Sequence, residues 1–272
     1  MSTTTQRFAD RVDVEFDGAI AHVRLSRAER LNAMDRAMVD GLLEAARHVR
    51  ALPGLRAVVM SGEGRGFCSG IDLEVLDPAK KVTGRVFELD RVIDGGANAP
   101  QLAAVQWRDL PVPVIAAVHG FALGAGFQIA LGADLRFVQP SAKLGLLEVQ
   151  WGLVPDMGGI ALLRGLVHAD VAADLVYSAR TFLGTEAKEL GIATRVCDDP
   201  LADALAFARQ LAGRSPDAIR AAKRLLAIGD DGATRERILR AEAREQMVLL
   251  DSPNHFEAVA AGLQKRTPRF MD

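Results

Sequence analysis

The segments RAVVMSGEGRGFCSGIDL (residues 56–73) and PVIAAVHGFALGAGFQIAL (residues 113–131) share one pattern. Each has a short apolar run typical of a buried strand, then a glycine-rich turn, and beyond it the pattern predicts a helix. Glycine permits tight turns and close approach of a ligand to the backbone, and the first turn of a helix leaves N–H groups unpaired. A structural connection explains either turn alone. Both together favour a site with two exposed N–H donors, suited to an oxygen that becomes negative during a reaction.

Composition excludes several classes of protein. The 272 residues are 49% hydrophobic, enough for one sizeable domain or a main domain with an appendage. A net charge of -2 and a pI near 6.2 predict no nucleic-acid or membrane-surface partner. Two distant cysteines, Cys68 and Cys197, argue against zinc or a disulfide framework and favour a reducing, cytoplasmic setting. The N-terminus lacks the apolar core of a secretory signal, and four glycines interrupt the apolar stretch 112–133, which we interpret as buried strand, turn and helix rather than a membrane span.

Strand and helix signals alternate through the first part of the chain. Residues 12–16 and 19–26 flank an Asp-Gly pair and predict a hairpin. Asp35 is placed to cap a helix with apolar residues at helical spacing. Further strands are predicted at 57–60, before the first glycine turn, and at 134–138, after the second.

Two regions depart from this alternation. Residues 80–110 have a helical pattern interrupted by a Gly-Gly pair and Pro100, which we interpret as a lid or a substrate-shaped insertion. From residue 201 onward the pattern is almost entirely helical. We therefore predict an α/β domain carrying the active site over residues 1–200 and a helical region over 201–272.

Repeated strand and helix units predict a parallel sheet with helices outside, and several such units in succession can wind as a spiral. A dinucleotide-binding fold is the alternative, because Gly124 and Gly126 form a G-x-G. The third glycine of that motif would fall at Ile129, and neither turn has the Lys-Ser/Thr pair of a phosphate loop. We rank the nucleotide-binding interpretation well below the spiral.

The chain resembles the crotonase superfamily, the enoyl-CoA hydratase and isomerase family, over nearly its whole length. The resemblance implies an α/β spiral of repeated ββα units and C-terminal helices that pack between subunits, giving a homotrimer or a homohexamer. It is carried by six segments in the family's order: SRAERLNAM (26–34), GRGFCSGIDL (64–73), PVIAAVHGFALGAGFQIALGADLRF (113–137), LGLLEVQWGLVPDMGG (144–159), RTFLGTEAKELGIATRV (180–196) and AVAAGLQKRTPRF (258–270).

By this resemblance, the backbone N–H groups of Ile71 and Ala125 form an oxyanion hole for the thioester carbonyl of an acyl-CoA, which becomes negative as an enolate forms. Hydratases of the family use two glutamates, and those positions hold Gln128 and Glu148 here. Glu148 keeps the carboxylate needed to move a proton. Gln128 cannot titrate, although its amide can hold a water molecule or a polar group of the substrate, so the two-glutamate mechanism is in doubt.

Asp156 lies eight positions after Glu148, where dienoyl-CoA isomerases of the family carry an aspartate. Two acids flanking an acyl chain could move a proton between carbons, as a double-bond shift requires. The third acid of those isomerases aligns with Gln128. A helix N-cap before residues 157–163 is the alternative role of Asp156.

The resemblance assigns CoA contacts to Arg27, Arg30 and Lys265, and solvated surface charge is the alternative for all three. Glu74 and Gly262 replace a basic and an aromatic residue that some relatives have, which points to weaker or different CoA binding. Coenzyme A is part of the substrate, so we expect no separate cofactor.

Other reactive side chains have structural interpretations. His119 ends a predicted buried strand, and neither it nor Cys68 has the spacing of a catalytic pair. Trp107, Trp151 and Phe127 are expected to pack the core or line an acyl pocket. The sequence has no cluster typical of a metal site.

The sequence therefore predicts an enoyl-CoA hydratase or an enoyl- or dienoyl-CoA isomerase, and the resemblance implies fatty acid β-oxidation or related acyl-CoA catabolism. Because of Gln128, a catalytically silent acyl-CoA-binding protein is the second hypothesis. A dinucleotide-dependent enzyme is the third.

Overall fold

The computed structural model describes residues 4–75, 87–230 and 232–272, with only the backbone described at 229–230. The strands are β1 (Thr4–Phe8), β2 (Val12–Phe16), β3 (Ile20–Leu25), β4 (Ala57–Gly62), β5 (Val114–Val118), β6 (Phe121–Leu123), β7 (Leu135–Val138), β8 (Lys143–Gly145), β9 (Phe182–Leu183) and β10 (Arg195–Val196). The α-helices are α1 (Arg36–Arg50), α2 (Ala99–Val105), α3 (Ala125–Leu131), α4 (Gly159–Arg164), α5 (Ala169–Ser178), α6 (Gly184–Glu189), α7 (Pro200–Ala212), α8 (Pro216–Asp230), α9 (Arg235–Leu250) and α10 (Pro253–Gln264). Short 3-10 helices occupy Ala28–Arg30, Leu73–Val75 and Glu148–Trp151.

The main sheet has the strand order β1-β2-β3-β4-β5-β7-β10. Strands β1 to β3 are antiparallel neighbours, and from β3 to β10 every neighbouring pair is parallel. The predicted hairpin is confirmed as β2 and β3, and the carboxylate of Asp17 accepts the N–H of Ile20 at 2.8 Å in its turn. A second sheet with the order β6-β8-β9 stands beside the glycine turns.

Both faces of the central strands are buried, which explains their uninterrupted apolar runs. In β4, Val58 and Met60 belong to the large core that includes α1, while Ala57 and Val59 belong to a smaller core that includes two alanines of α7. The first helix after residue 200 thus covers one face of the sheet. The division of the chain at residue 200 stays a prediction.

Two helices begin with side-chain caps, and the first of these caps was predicted. Asp35 Oδ1 accepts the N–H of Met38 at 2.7 Å, which confirms the predicted cap of α1. In the region interpreted as an insertion, α2 begins with a capping box in which Asn98 and Gln101 each accept the backbone N–H of the other at 3.0 Å. The part of that prediction at 80–86 lies outside the described residues. In the described ranges, no helix is long and apolar enough to cross a membrane.

The two glycine turns lie side by side and share backbone hydrogen bonds. The N–H of Cys68 donates to the carbonyl of Phe121 at 3.2 Å, and the N–H of Leu123 donates to the carbonyl of Cys68 at 3.0 Å. A Cβ atom at Gly126 would lie 2.6 Å from both the Cβ and the carbonyl oxygen of Cys68. Glycine at 126 is therefore required for α3 to pack against the first turn.

We predict that Gly126→Ala destabilises the protein by roughly 1–3 kcal/mol, because the new methyl group meets backbone that cannot move independently. Gly262→Ala is the matched control: it lies inside α10, where a Cβ meets nothing within 4 Å, and alanine raises helix propensity by up to about 1 kcal/mol. Urea unfolding of both variants measures the difference. Equal stability of the two variants would contradict the close packing of the turns.

Candidate active site

A cavity of about 580 Å³ opens where the two glycine turns meet the 3-10 helix Glu148–Trp151. The cavity contains Ile71 and Ala125 from the two turns, and Glu148 and Asp156 from the segment after β8. Most of its remaining wall is apolar, as expected for a site that receives an acyl chain. The apolar wall residues are Leu31, Ala33, Met34, Val39, Leu73, Phe87, Pro100, Leu147, Trp151, Leu153, Val154 and Met157.

The N–H of Ile71 is turned toward the cavity by the backbone pairing of the first turn. Residues 70–72 run parallel to Met34: the N–H of Met34 donates to the carbonyl of Gly70 at 2.8 Å, and the N–H of Asp72 donates to the carbonyl of Met34 at 2.9 Å. Because successive peptide groups of an extended chain point to opposite sides, the N–H of Ile71 points away from Met34. Gly70 precedes it at φ +101°, where only glycine is unstrained.

The N–H of Ala125 is the first of α3, so it has no intrahelical acceptor. Gly124 caps this helix at φ 49° and ψ -121°, a conformation that other residues avoid. A Cβ placed on Gly70 would lie 3.9 Å from the Ala125 nitrogen, so the two turns bring their donors to one place. In the part of the chain that the structure describes, the N–H groups of Ile71 and Ala125 have no hydrogen-bond acceptor.

Glu148 places its carboxylate over the second glycine turn. Its Oε1 accepts a hydrogen bond from Nε2 of Gln128 at 2.7 Å and lies 3.3 Å from where a Cβ of Gly124 would be. Its Oε2 is buried and has no hydrogen-bond partner among the described residues. One oxygen is therefore held by Gln128, and the other has no hydrogen-bond partner among the described residues.

Gln128 is fully buried, and its amide can be oriented in only one way. Its Oε1 accepts the N–H of Met157 at 2.9 Å and the N–H of Gly159 at 3.0 Å, so Nε2 must face Glu148. A carboxylate in place of this amide would have to share a proton with Glu148. The glutamine thus holds Glu148 without adding a second charge.

Two of the acids in the cavity wall, Glu148 and Asp156, have pKa values shifted toward the neutral form. Burial raises the pKa of Glu148, the nearby charge of Asp156 raises it further, and the hydrogen bond from Gln128 opposes the shift. Burial of the carboxyl group also raises the pKa of Asp156. The alternative role of Asp156 as a helix cap is wrong: α4 begins at Gly159 with Gly158 as its N-cap and no side-chain cap bond.

The basic residues assigned to CoA occupy three different environments. Arg30 lines the cavity mouth and pairs with Glu74 at 3.0 Å, both side chains being about half exposed. The side chain of Arg27 is mostly buried, and its guanidinium pairs with Asp72 at 2.9 Å. Lys265 is exposed at the end of α10 and is not part of the cavity wall. Of the three, only Arg30 is brought to the cavity within this chain.

The other reactive residues, Cys68 and His119, contact backbone carbonyl oxygens. The thiol of Cys68 is buried and donates to the carbonyl of Asn32 at 3.0 Å, and burial raises its pKa to about 12. His119 Nε2 lies 2.9 Å from the carbonyl oxygen of Gly64. Of the aromatic residues, Trp107 is fully buried in the core and Trp151 lines the cavity.

Asn32 is a residue whose part in the site was not predicted. It is fully buried, and its Nδ2 donates to the carbonyls of Gly66 and Phe67, each at 3.1 Å, at the start of the first glycine turn. Its place between apolar residues in RLNAM is the signal that could have identified it, because a buried polar side chain needs partners. The apolar wall residues carry no such signal.

The raised pKa of Glu148 predicts a pH-dependent cost to stability. Because the pKa is higher in the folded than in the unfolded state, the folded state binds more protons between the two values, and the free energy of unfolding falls as pH rises through that window. Glu148→Gln keeps an acceptor for Gln128 and removes the charge. We expect its stability relative to wild type to increase from about pH 4 toward neutral pH in urea unfolding. A difference that shrinks with rising pH would contradict the burial of this carboxylate.

Comparison with known proteins identifies the family of this chain. The family model for enoyl-CoA hydratase/isomerase matches residues 15–272. "Probable enoyl-CoA hydratase echA6" of Mycobacterium tuberculosis (strain CDC 1551 / Oshkosh) is 34% identical over 256 residues, covering 93% of this chain and 96% of that protein. The mitochondrial Delta(3,5)-Delta(2,4)-dienoyl-CoA isomerase of Mus musculus is 31% identical over 256 residues, covering 91% and 77%. The crystal structure of an enoyl-CoA hydratase from Polaromonas sp. JS666 has a TM-score of 0.85 at 28% identity, covering 96% of this chain and 99% of that one. The predicted resemblance and fold are confirmed, and the chain belongs to the enoyl-CoA hydratase/isomerase family.

Proposed function

We propose that this enzyme polarises the thioester carbonyl of an enoyl-CoA between the N–H groups of Ile71 and Ala125 and moves a proton with Glu148. The main support is that Ile71 and Ala125, whose N–H groups have no acceptor in the described chain, line one largely apolar cavity with Glu148, whose Oε2 has no partner there. Membership of the hydratase/isomerase family agrees with this chemistry. Coenzyme A enters as part of the substrate, and the proposed reaction needs no separate cofactor.

The two backbone donors act on the charge that develops during the reaction. Removing or adding a proton next to the thioester passes through an enolate, whose oxygen carries the negative charge. Donors already aimed at that oxygen stabilise it without reorganisation, and losing one costs about 3 kcal/mol of transition-state stabilisation. The position of Ala125 at the first turn of α3 adds the partial positive charge of the helix end.

Glu148 is the proton carrier in this proposal, and Oε2 is its reacting oxygen. Gln128 holds Oε1 through a hydrogen bond of 2.7 Å, so the free lone pairs are those of Oε2. The raised pKa brings the carboxyl group closer to the range in which it can both accept and return a proton near neutral pH.

Asp156 favours double-bond migration over hydration. It lines the same cavity as Glu148, and its charge contributes to the pKa shift of that residue, so the two carboxyl groups lie near each other. Migration needs a base at one carbon and an acid at another, and two carboxyl groups with raised pKa values can divide these roles. Hydration instead uses Glu148 to activate water, and the double bond then takes up the proton and the hydroxyl group.

In the described part of the chain, the cavity wall holds fewer basic residues for CoA than the three that the sequence predicted. Arg30 is the basic residue of the described chain in this wall, and Glu29 and Glu74 accompany it. We assign Arg30 to the CoA moiety. Lys265 serves CoA only if α10 of a neighbouring subunit brings it to the cavity, because it is not part of the wall in its own chain.

We assign the protein a cytoplasmic location and a homotrimeric or homohexameric state, and the C-terminal helices support the association of subunits. Large apolar side chains are exposed on α8, α9 and α10, including Leu226, Met247 and Leu263, the last at 81%. An isolated chain would leave this surface in water, so a further subunit is expected to cover it. Sedimentation equilibrium should give three or six chains, and Leu263→Glu should shift the mass toward smaller species. A monomeric wild type would contradict this assignment.

Glu148→Gln should lower turnover by at least about 100-fold with little change in acyl-CoA affinity, because it removes the proton carrier and leaves both N–H donors. Asp156→Asn should impair isomerisation of 3-enoyl- or dienoyl-CoA substrates more than hydration of crotonyl-CoA. Steady-state rates on all three substrates, with dissociation constants from calorimetry, measure both effects.

Glu44→Gln, at an exposed position on α1, is the control and should match wild type. Wild-type protein that binds acyl-CoA and turns over none of the three substrates would favour a silent binding protein. Binding of NAD without binding of any CoA ester would favour the dinucleotide alternative.

A further inference from the structure

Arg27 has a mostly buried guanidinium whose partners all belong to the protein. Its Nη1 lies 2.9 Å from Oδ2 of Asp72 and 3.2 Å from Oδ2 of Asp35, and it donates to the carbonyl of Ala33 at 3.0 Å. The side chain is 11% exposed, as is that of Asp72. A group with this burial and these partners is poorly placed to bind phosphate groups in solvent.

Asp72 follows Ile71 directly and uses both carboxylate oxygens inside the turn. Oδ1 accepts the N–H of Glu74 at 3.1 Å, which starts the short helix Leu73–Val75, and Oδ2 pairs with Arg27. The backbone N–H of Asp72 is bonded to the carbonyl of Met34. The peptide that carries the Ile71 N–H is therefore anchored on its C-terminal side by Asp72.

Asp35, unlike Asp72, has a second arginine as a salt-bridge partner among the described residues. Arg11 donates to Oδ2 of Asp35 from Nε at 3.1 Å and from Nη2 at 3.0 Å, and Oδ1 caps α1. If Arg27 were removed, Asp35 would keep a cation. Asp72 would lose its salt-bridge partner in the described chain, and its Oδ2 would be left buried without one.

The backbone of Arg27 is joined to the other end of the same glycine turn. Its N–H donates to Oδ1 of Asn32 at 2.9 Å, and Nδ2 of Asn32 donates to the carbonyls of Gly66 and Phe67. The segment that begins at Arg27 thus contacts the first turn on both sides of Gly70. The salt bridge to Asp72 is the ionic part of this attachment.

We propose that Arg27 is a positioning residue, which holds the Ile71 N–H at the cavity through Asp72, and not a ligand of CoA. This inference rests on the proposed function, because it assigns Arg27 to the same oxyanion hole. A donor displaced by a fraction of an ångström weakens its hydrogen bond to the developing oxyanion more than it weakens ground-state binding of the acyl chain. Loss of Arg27 therefore lowers kcat and leaves KM nearly unchanged.

Arg27→Met and Arg11→Met form a matched pair of tests. Both remove one cation from Asp35, whereas only Arg27→Met removes the partner of Asp72. We expect Arg27→Met to lower kcat about tenfold with less than a twofold change in KM, and Arg11→Met to keep wild-type kcat. Arg27→Lys, which can restore one ionic contact, should recover part of the loss. A raised KM with unchanged kcat in Arg27→Met would overturn the inference in favour of CoA binding.

Asp72→Asn tests the same contact from its other side and serves if Arg27→Met does not fold. It keeps an acceptor for the N–H of Glu74 and removes the charge that pairs with Arg27. The double variant Arg27→Met/Asp72→Asn should lose no more kcat than the worse single variant, because both act through one contact. Additive losses would overturn the inference.

Bound acetoacetyl-CoA gives a readout that does not require turnover. Its enolate absorbs in the near ultraviolet, and an intact oxyanion hole favours the enolate over the keto form. The enolate band should weaken in Arg27→Met and Asp72→Asn and persist in Arg11→Met. If wild-type protein shows the enolate band but turns over no substrate, the proposed reaction is wrong. The comparison of the band between the variants then still decides the role of Arg27. A wild type that binds this ligand without the band overturns both proposals.

Discussion

Direct backbone contact between the two glycine turns is the constraint on which the site depends. The hydrogen bond from Leu123 N–H to Cys68 carbonyl and the missing Cβ of Gly126 set how closely the turns approach. At this separation the N–H groups of Ile71 and Ala125 open onto one cavity. Because the donors belong to the backbone, the side chains at these two positions are free to serve packing, whereas the glycines around them are not free to change.

The acids of this region fall into two groups with opposite electrostatics. Asp35 and Asp72 pair with partly buried arginines and shape the backbone of α1 and of the first turn. Glu148 and Asp156 line the cavity, form no salt bridge within the described residues and have raised pKa values because they are buried there. The chain thus neutralises the carboxylates that hold structure and leaves unneutralised those available for proton transfer. Gln128 fits this division, since it supports Glu148 by a hydrogen bond without contributing charge.

Local chemistry made parts of the fold predictable. Asp35 was identified as the cap of α1 because it precedes an apolar helical pattern, and the Asp-Gly pair identified the hairpin. Both the cap and the hairpin turn depend on neighbouring residues only. The helix-cap alternative for Asp156 was wrong for the converse reason. Gly158 takes the cap position with φ 81°, and the packing of Gly159 against Gln128 decides where α4 begins. That contact joins residues 31 positions apart, so the sequence around Asp156 gives no sign of it.

The sequence by itself determined the parallel α/β class, the two glycine turns and the family to which the chain belongs, since glycine, apolar runs and motif order are properties of short segments. Tertiary structure alone decided which lone pairs and cations are free. It oriented the amide of Gln128 through the N–H groups of Met157 and Gly159, left one oxygen of Glu148 unpartnered, and turned Arg27 inward to Asp72. Each of these outcomes depends on partners distant in the chain, and the availability of a polar group is set by every neighbour that packs around it.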